Sequence, residues 1–271
     1  MEVNVNYALY HHGIKGQKWG IRRFQNKDGS LTSAGEIRYH KDSNKQIKTN
    51  PDGSRTIPKG FMFNRVGKSS LDVNQSGALY VSYGKQDAAR YVKNLGPSTI
   101  GKLLGTAHDT VQHISVKENL KMASSADTAK ETAKLLSSND QLLKSFNESI
   151  YSIATTGDFN KSVTKQDLEA ALKDPSGKEA QKLAYGVSAF LGNGAMAAES
   201  KVVYQHFRKK GYDAIPDLND IYSGTSETAT IIFNTNKIAV TSTTPITKDV
   251  YKAGKKYAKS LGKLKVSDVI K

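Results

Sequence analysis

Apolar residues along the chain change their spacing as they go. Through residue 60 they are sparse and follow no regular period. Turn signals punctuate that stretch at Lys27-Asp28-Gly29-Ser30, Asn50-Pro51-Asp52-Gly53 and Pro58-Lys59-Gly60. The pattern predicts an extended, flexible arm or leader over residues 1–60 rather than a folded domain. From residue 61 the pattern tightens into short runs, Phe61–Val66 and Ala78–Tyr83, then the β-branched alternation of Thr110–Val116. These read as strands, with a helix from Lys85 to about Asn94 between the second and third. Residues 123–210 read as helical. Ser125 or Asp127 starts one helix, Ser138 or Asn139 another, and Thr164 caps Lys165–Lys173. Asp174-Pro175-Ser176-Gly177 is a break. Helices follow over Lys178–Phe190 and from about Ala197 to Lys210, closed by Gly211. Tyr212–Ile215, Ala229–Asn234 and Lys237–Thr241 read as late strands, and 247–271 as a basic helix. The sum is an α+β chain: a leader over 1–60 and a domain over 61–271 that carries a helical insertion at about 123–210.

Composition narrows the chemistry. None of the 271 residues is cysteine, which excludes disulfides, thiolate zinc sites, iron–sulfur clusters and a cysteine nucleophile. No apolar run approaches the length that spans a bilayer, so no membrane partner is expected. The opening MEVNVNYALYHHG has neither a basic start nor an apolar core, and no signal peptide of the usual kind is expected. Forty Lys+Arg against 25 Asp+Glu leave a net charge of +15. The excess is spread along the chain rather than blocked. It predicts weak, non-specific affinity for nucleic acid, or for a phosphate-bearing small molecule, and argues against a dedicated nucleic-acid arm.

Residues His11 to Phe24, HHGIKGQKWGIRRF, hold the single tryptophan, Trp19, among glycines and basic residues. The His11-His12 pair has no carboxylate nearby, and adjacent side chains rarely face one ion, so no metal site is expected. Trp19, Arg22 and Arg23 offer a nucleic-acid contact as an alternative. Residues 10–39 resemble a leader carried by virion-associated proteins of tailed phages that infect Gram-positive bacteria. The resemblance implies association with the phage particle through the leader, and a location in the virion or in the bacterial host cytoplasm.

Gly77-Ala78-Leu79-Tyr80-Val81-Ser82 is followed on the next helix by Ala89 and Tyr91. Spacing alone leaves both tyrosines open as ordinary packed residues. The segment resembles the nicotinamide pocket of ADP-ribosyltransferases, with Tyr80, Ser82, Ala89 and Tyr91 on the motif positions. That resemblance implies a split β core and NAD as the substrate that supplies ADP-ribose. Tyr80 and Tyr91 would flank the nicotinamide ring, and Ser82 matches the serine of the arginine-motif branch. Arg65, closing the run Phe61–Val66, matches the position that grips the NAD ribose or phosphate, a task that suits a guanidinium. Histidine is absent there, so the segment mixes features of two branches. The resemblance also implies a carboxylate before a late strand, bonding the ribose 2′-hydroxyl and steadying the oxocarbenium-like species as nicotinamide leaves. Glu227, in Thr225-Ser226-Glu227, takes that place, with Asp217 and Asp220 as rivals. Thr225 stands where the arginine-modifying enzymes carry Glu or Gln, which argues against arginine as acceptor.

The chain lacks a P-loop, a dinucleotide-binding glycine fingerprint, a zincin helix and a nucleophile elbow. Asp217 and Asp220 lack the ligand series of a calcium loop. The expected function is NAD-dependent transfer of ADP-ribose to a host or phage acceptor. The alternatives are a non-catalytic virion-associated protein and a nucleic-acid-associated internal protein.

Overall fold

The computed structural model describes residues 47–67, 77–98, 108–153 and 162–262. All of them fall within the unit Asp42–Lys271. The leader motif at 11–24 and the end of the basic tail, 263–271, lie outside the described residues.

The described chain is α+β, with two sheets. The larger has the order β1-β2-β6-β7-β8-β4: β1 Lys48–Thr49, β2 Arg55–Ile57, β6 Leu120–Met122, β7 Ala214–Pro216, β8 Thr230–Ile232 and β4 Leu79–Val81. The smaller is β3-β5-β9: β3 Met62–Gly67, β5 Thr110–Val116 and β9 Ile238–Pro245. A bridge between Asn64 and Ser82 joins β3 to the residue after β4.

The expectation for residues 1–60 needs correction where it meets the described chain. Asn50-Pro51-Asp52-Gly53 is a turn, but a hairpin turn. Asn50 Nδ2 donates to Ser54 and Thr56, Gly53 supplies a φ of +80°, and β1 and β2 pair across it. β2 then pairs with β6 in the register Arg55↔Met122 to Ile57↔Leu120. Ile57 is fully buried beside Phe61 and Phe63. Short strands with one apolar residue apiece leave no period to read, and only the partner strand shows what they are.

β6 and β7 run parallel, with Met122 opposite Ala214. Parallel neighbours need a long crossover, and the helical section is that crossover. It comprises α2 Ser125–Ser137, α3 Asp140–Ile153, α4 Lys165–Lys173, α5 Lys178–Gly192 and α6 Ala197–Lys209. Its caps follow the sequence with small shifts. Ser124, one residue before the expected position, caps α2. Asn139 accepts from Leu142 N at the start of α3, and Thr164 and Asp167 form a capping box on α4. Apolar faces of these helices, with Phe146, Leu183, Phe190 and Phe207, bury one side of the large sheet through Ile215, Ile231 and Phe233. Its other side meets the small sheet across Leu79, Val81 and Ile232 against Phe61, Phe63 and Ile114. Thr230, Ile231 and Ile232 are therefore all buried, as a strand covered on both faces must be.

Two further elements frame the site. Helix α1, Lys85–Leu95, follows β4, and α8, Lys248–Ser260, packs against it. Together with the small sheet they enclose a minor cluster of Val66, Val92, Val111 and Ile246. The short helix α7, Leu218–Tyr222, and the loop after it connect β7 to β8.

Candidate active site

The site is organised by a residue of the first turn of α1. Asp87 is buried, and a buried carboxylate must have its oxygens satisfied. It accepts from Ser226 Oγ at 2.6 Å, from Glu227 N at 3.0 and 3.1 Å, from Thr228 N at 2.9 Å and from Thr228 Oγ1 at 2.6 Å. Thr228 Oγ1 in turn accepts from Tyr83 N at 2.8 Å, which ties the loop to the end of β4. The turn 226–228 is thus pinned by one side chain at the entrance to β8.

Arg90, one helical turn on from Asp87 and also buried, donates to Asp87 Oδ1 at 3.0 Å and to Glu227 Oε1 at 2.9 Å. The Glu227 side chain is 41% exposed. It is the one carboxylate of this network that reaches solvent, and Arg90 aims it. No sequence motif marks Asp87 or Arg90. Their i, i+3 spacing on a predicted helix reads as a solvent-exposed ion pair, and the partner that buries them lies some 140 residues away.

Two more acids face the same end of α1. Asp217 caps α7, accepting from Asp220 N, and is buried. Asp220 accepts a hydrogen bond from the Tyr91 hydroxyl. Burial pushes both carboxyls above their ordinary range, and for Asp217 the neighbouring Asp220 adds to the shift. The same burial, with these carboxylates nearby, holds Tyr91 well above the usual phenol value. The Tyr80 hydroxyl is buried beside Tyr204, with Asp217 and Asp220 near, and makes no well-formed hydrogen bond. Its desolvation likewise raises it.

The expected site residues therefore fall in two groups. Glu227 meets Arg90 of α1, Tyr91 of α1 meets the rival Asp220, and Tyr80 lies near the rivals Asp217 and Asp220. The two tyrosine rings pack differently: Tyr80 against the helical core and Tyr91 against the minor cluster behind α1. Ser82 and Arg65 flank the bridge between the sheets. Ser82 is buried, and its backbone pairs with Asn64 at 2.7 and 2.9 Å. Arg65, the next residue along β3, donates from Nη1 to Gln112 Oε1 at 3.0 Å. Side chains alternate along a strand, so Ser82 shares the face of Asn64 and Arg65 points to the other. No grouping of His, Asp or Glu suited to a metal ion occurs among the described residues, and no described helix is long and apolar enough to cross a membrane.

Set against family models, curated proteins and solved structures, the chain matches none of them.

Proposed function

We propose that the chain is an NAD-dependent ADP-ribosyltransferase that acts during phage infection. It cleaves the nicotinamide–ribose bond and moves ADP-ribose to a protein or other macromolecular acceptor of host or phage. The supporting observation is the position of Glu227. It is a partly exposed carboxylate at the entrance to β8, and β8 pairs with β4, the strand that carries Tyr80 and leads into Ser82. Further support comes from a β core made of two sheets joined by a bridge between Asn64 and Ser82.

In this reading Glu227 bonds the ribose 2′-hydroxyl and stabilises the positive charge that develops as nicotinamide leaves. Arg90 and the turn pinned by Asp87 hold it in place, so little reorganisation is needed in the transition state. Arg65 exchanges Gln112 for an NAD phosphate or ribose oxygen, and Tyr80 contributes a ring to the nicotinamide pocket. Nicotinamide release from NAD, and label transfer from NAD to cell extract, test this directly. Glu227→Gln leaves NAD binding nearly intact and lowers turnover by about a hundredfold or more, whereas Arg65→Ala weakens NAD binding. A wild-type protein that neither binds NAD nor releases nicotinamide overturns the proposal. Full activity in Glu227→Gln overturns only that assignment and moves attention to Asp217 and Asp220.

One observation favours a second reading, a non-catalytic virion-associated protein. Arg65, Tyr91 and Glu227 are already engaged by Gln112, Asp220 and Arg90, and Ser82 is buried. On this reading NAD does not bind.

A further inference from the structure

We propose that the outward face of α8 is a docking surface for the phosphate backbone of duplex nucleic acid. The inference stands apart from the reading of the Glu227 site.

Helix α8 divides its residues sharply. Tyr251, Gly254, Tyr257 and Ala258 turn toward α1 and are wholly or partly buried. Gly254 lies so close that a Cβ there would stand 2.9 Å from Val92 Cγ1. Tyr251 lies against Gly96, and the Tyr257 ring lies 4.7 Å beneath Lys85 Nζ. Lys248, Lys252, Lys255 and Lys259 are exposed and recur at i, i+4, i+7 and i+11. At 100° per residue they form one stripe about 120° round the helix from the middle of the buried face, and exposed Lys256 borders it on the side that points away from that face. The stripe runs for about 16 Å at 1.5 Å per residue. The only acid of the helix is Asp249, in its first turn. Lys248 and Lys252, Lys252 and Lys256, and Lys255 and Lys259 are like-charged pairs one turn apart, an arrangement that destabilises a helix until an anion relieves it.

The composition of the stripe selects the partner. Lysines are depleted from the buried centres of protein–protein interfaces, which rely on aromatic, Met and Arg anchors. The exposed face offers no such anchor. Insertion at a lipid surface needs an outward apolar face, whereas the apolar face of α8 is spent on α1 and only Val250 among its large apolar residues is exposed. Single-strand binders stack bases on aromatic rings, and both tyrosines of α8 turn toward α1. What remains is a row of flexible point charges without the planar fork that reads bases. That row suits the regular phosphates of a duplex and carries no sequence preference.

The test is fluorescence anisotropy of the full chain with a short labelled duplex of mixed sequence, over a range of salt. The expected Kd is about 10 µM near physiological salt, and log K falls with log salt at a slope of about −3 to −4. Lys252→Gln, Lys255→Gln and Lys259→Gln together weaken binding at least tenfold at low salt and flatten the slope by roughly 3, at about 0.9 per phosphate contact. Arginine at the same three positions retains binding. Lys130→Gln, Lys173→Gln and Lys201→Gln, which remove equal charge from exposed positions of the helical section, leave binding within about twofold, since they remove no phosphate contact. The proposal is overturned if the duplex does not bind, or if the control triple loses as much as the stripe triple. Tighter binding to a single strand, or to vesicles of anionic lipid, also overturns it.

Discussion

At the level of single residues, the chemistry near α1 is a contest between burial and pairing. Asp87 wins that contest by hydrogen bonding, since hydroxyl, amide and guanidinium donors meet both of its oxygens. Asp217 does not. It is buried, faces Asp220, and among the described residues receives only backbone donors, so its carboxyl is pushed up by burial first and by Asp220 second. A raised folded-state value means that the folded chain holds the proton more tightly than the unfolded chain. This contribution favours folding below the ordinary carboxylate range and is lost as pH rises through the folded-state value. Asp217→Asn keeps the side-chain acceptor that caps α7 and removes the buried charge. It is therefore expected to raise stability near neutral pH by on the order of 1–2 kcal/mol and to have little effect near about pH 4. Thermal melts at the two pH values decide it, with about 2–4 °C per kcal/mol for a domain of this size. An equal loss at both would show that the cap, and not the charge, dominates.

At the level of elements, α8 packs against α1. Tyr251 against Gly96 and Gly254 against Val92 set how closely it approaches α1. Glycine inside a helix costs about 1 kcal/mol relative to alanine. At position 254 the close approach offsets that cost, because any Cβ must displace Val92. Gly254→Leu is expected to lift α8 from α1, cost about 1–3 kcal/mol from overpacking and expose the 245–248 segment to proteolysis. Limited proteolysis with mass mapping reads this. Unchanged cleavage would mean that the contact repacks around the added side chain. The caps of α2, α3 and α4 were visible within a residue in the sequence, since a cap and the amide it serves lie within one turn. β6 is not legible in the sequence, because Leu120-Lys121-Met122 is too short to show a period and is a strand only by virtue of β2 and β7 beside it.

At the level of the whole molecule, the order of strands in space departs from their order in the chain. β2 and β6, 60-odd residues apart, are neighbours, and β4 closes the large sheet beside β8. The 47–60 segment is accordingly part of the sheet architecture. Removing residues 1–60 takes away β1, β2 and the fully buried Ile57 and Ser54. Compared with a chain lacking only residues 1–46, the deletion of 1–60 is expected to lose at least about 3 kcal/mol, the scale of emptying one large buried aliphatic site. Urea unfolding of the two truncations gives the comparison. Equal midpoints would show that the β2–β6 pairing contributes nothing to stability.

Local information determined a large share of this protein. Helix periods, caps, the runs that became β3, β4, β5 and β8, and the α+β class all depend on residues within a turn or a strand of one another. Glu227, Tyr80 and Tyr91 stand on motif positions; the fold sets Glu227 on Arg90 of α1, Tyr91 on Asp220, and Tyr80 near Asp217 and Asp220. What only the tertiary structure decided is the company they keep. Asp87 and Arg90 became buried because Ser226, Glu227 and Thr228 arrive from the far end of the chain. Ser82 and Arg65 were sent to different faces by a bridge that neither strand announces. Both are matters of long-range pairing, where the sign of each contact depends on which distant segment the backbone sets opposite. No spacing within a single segment encodes that choice.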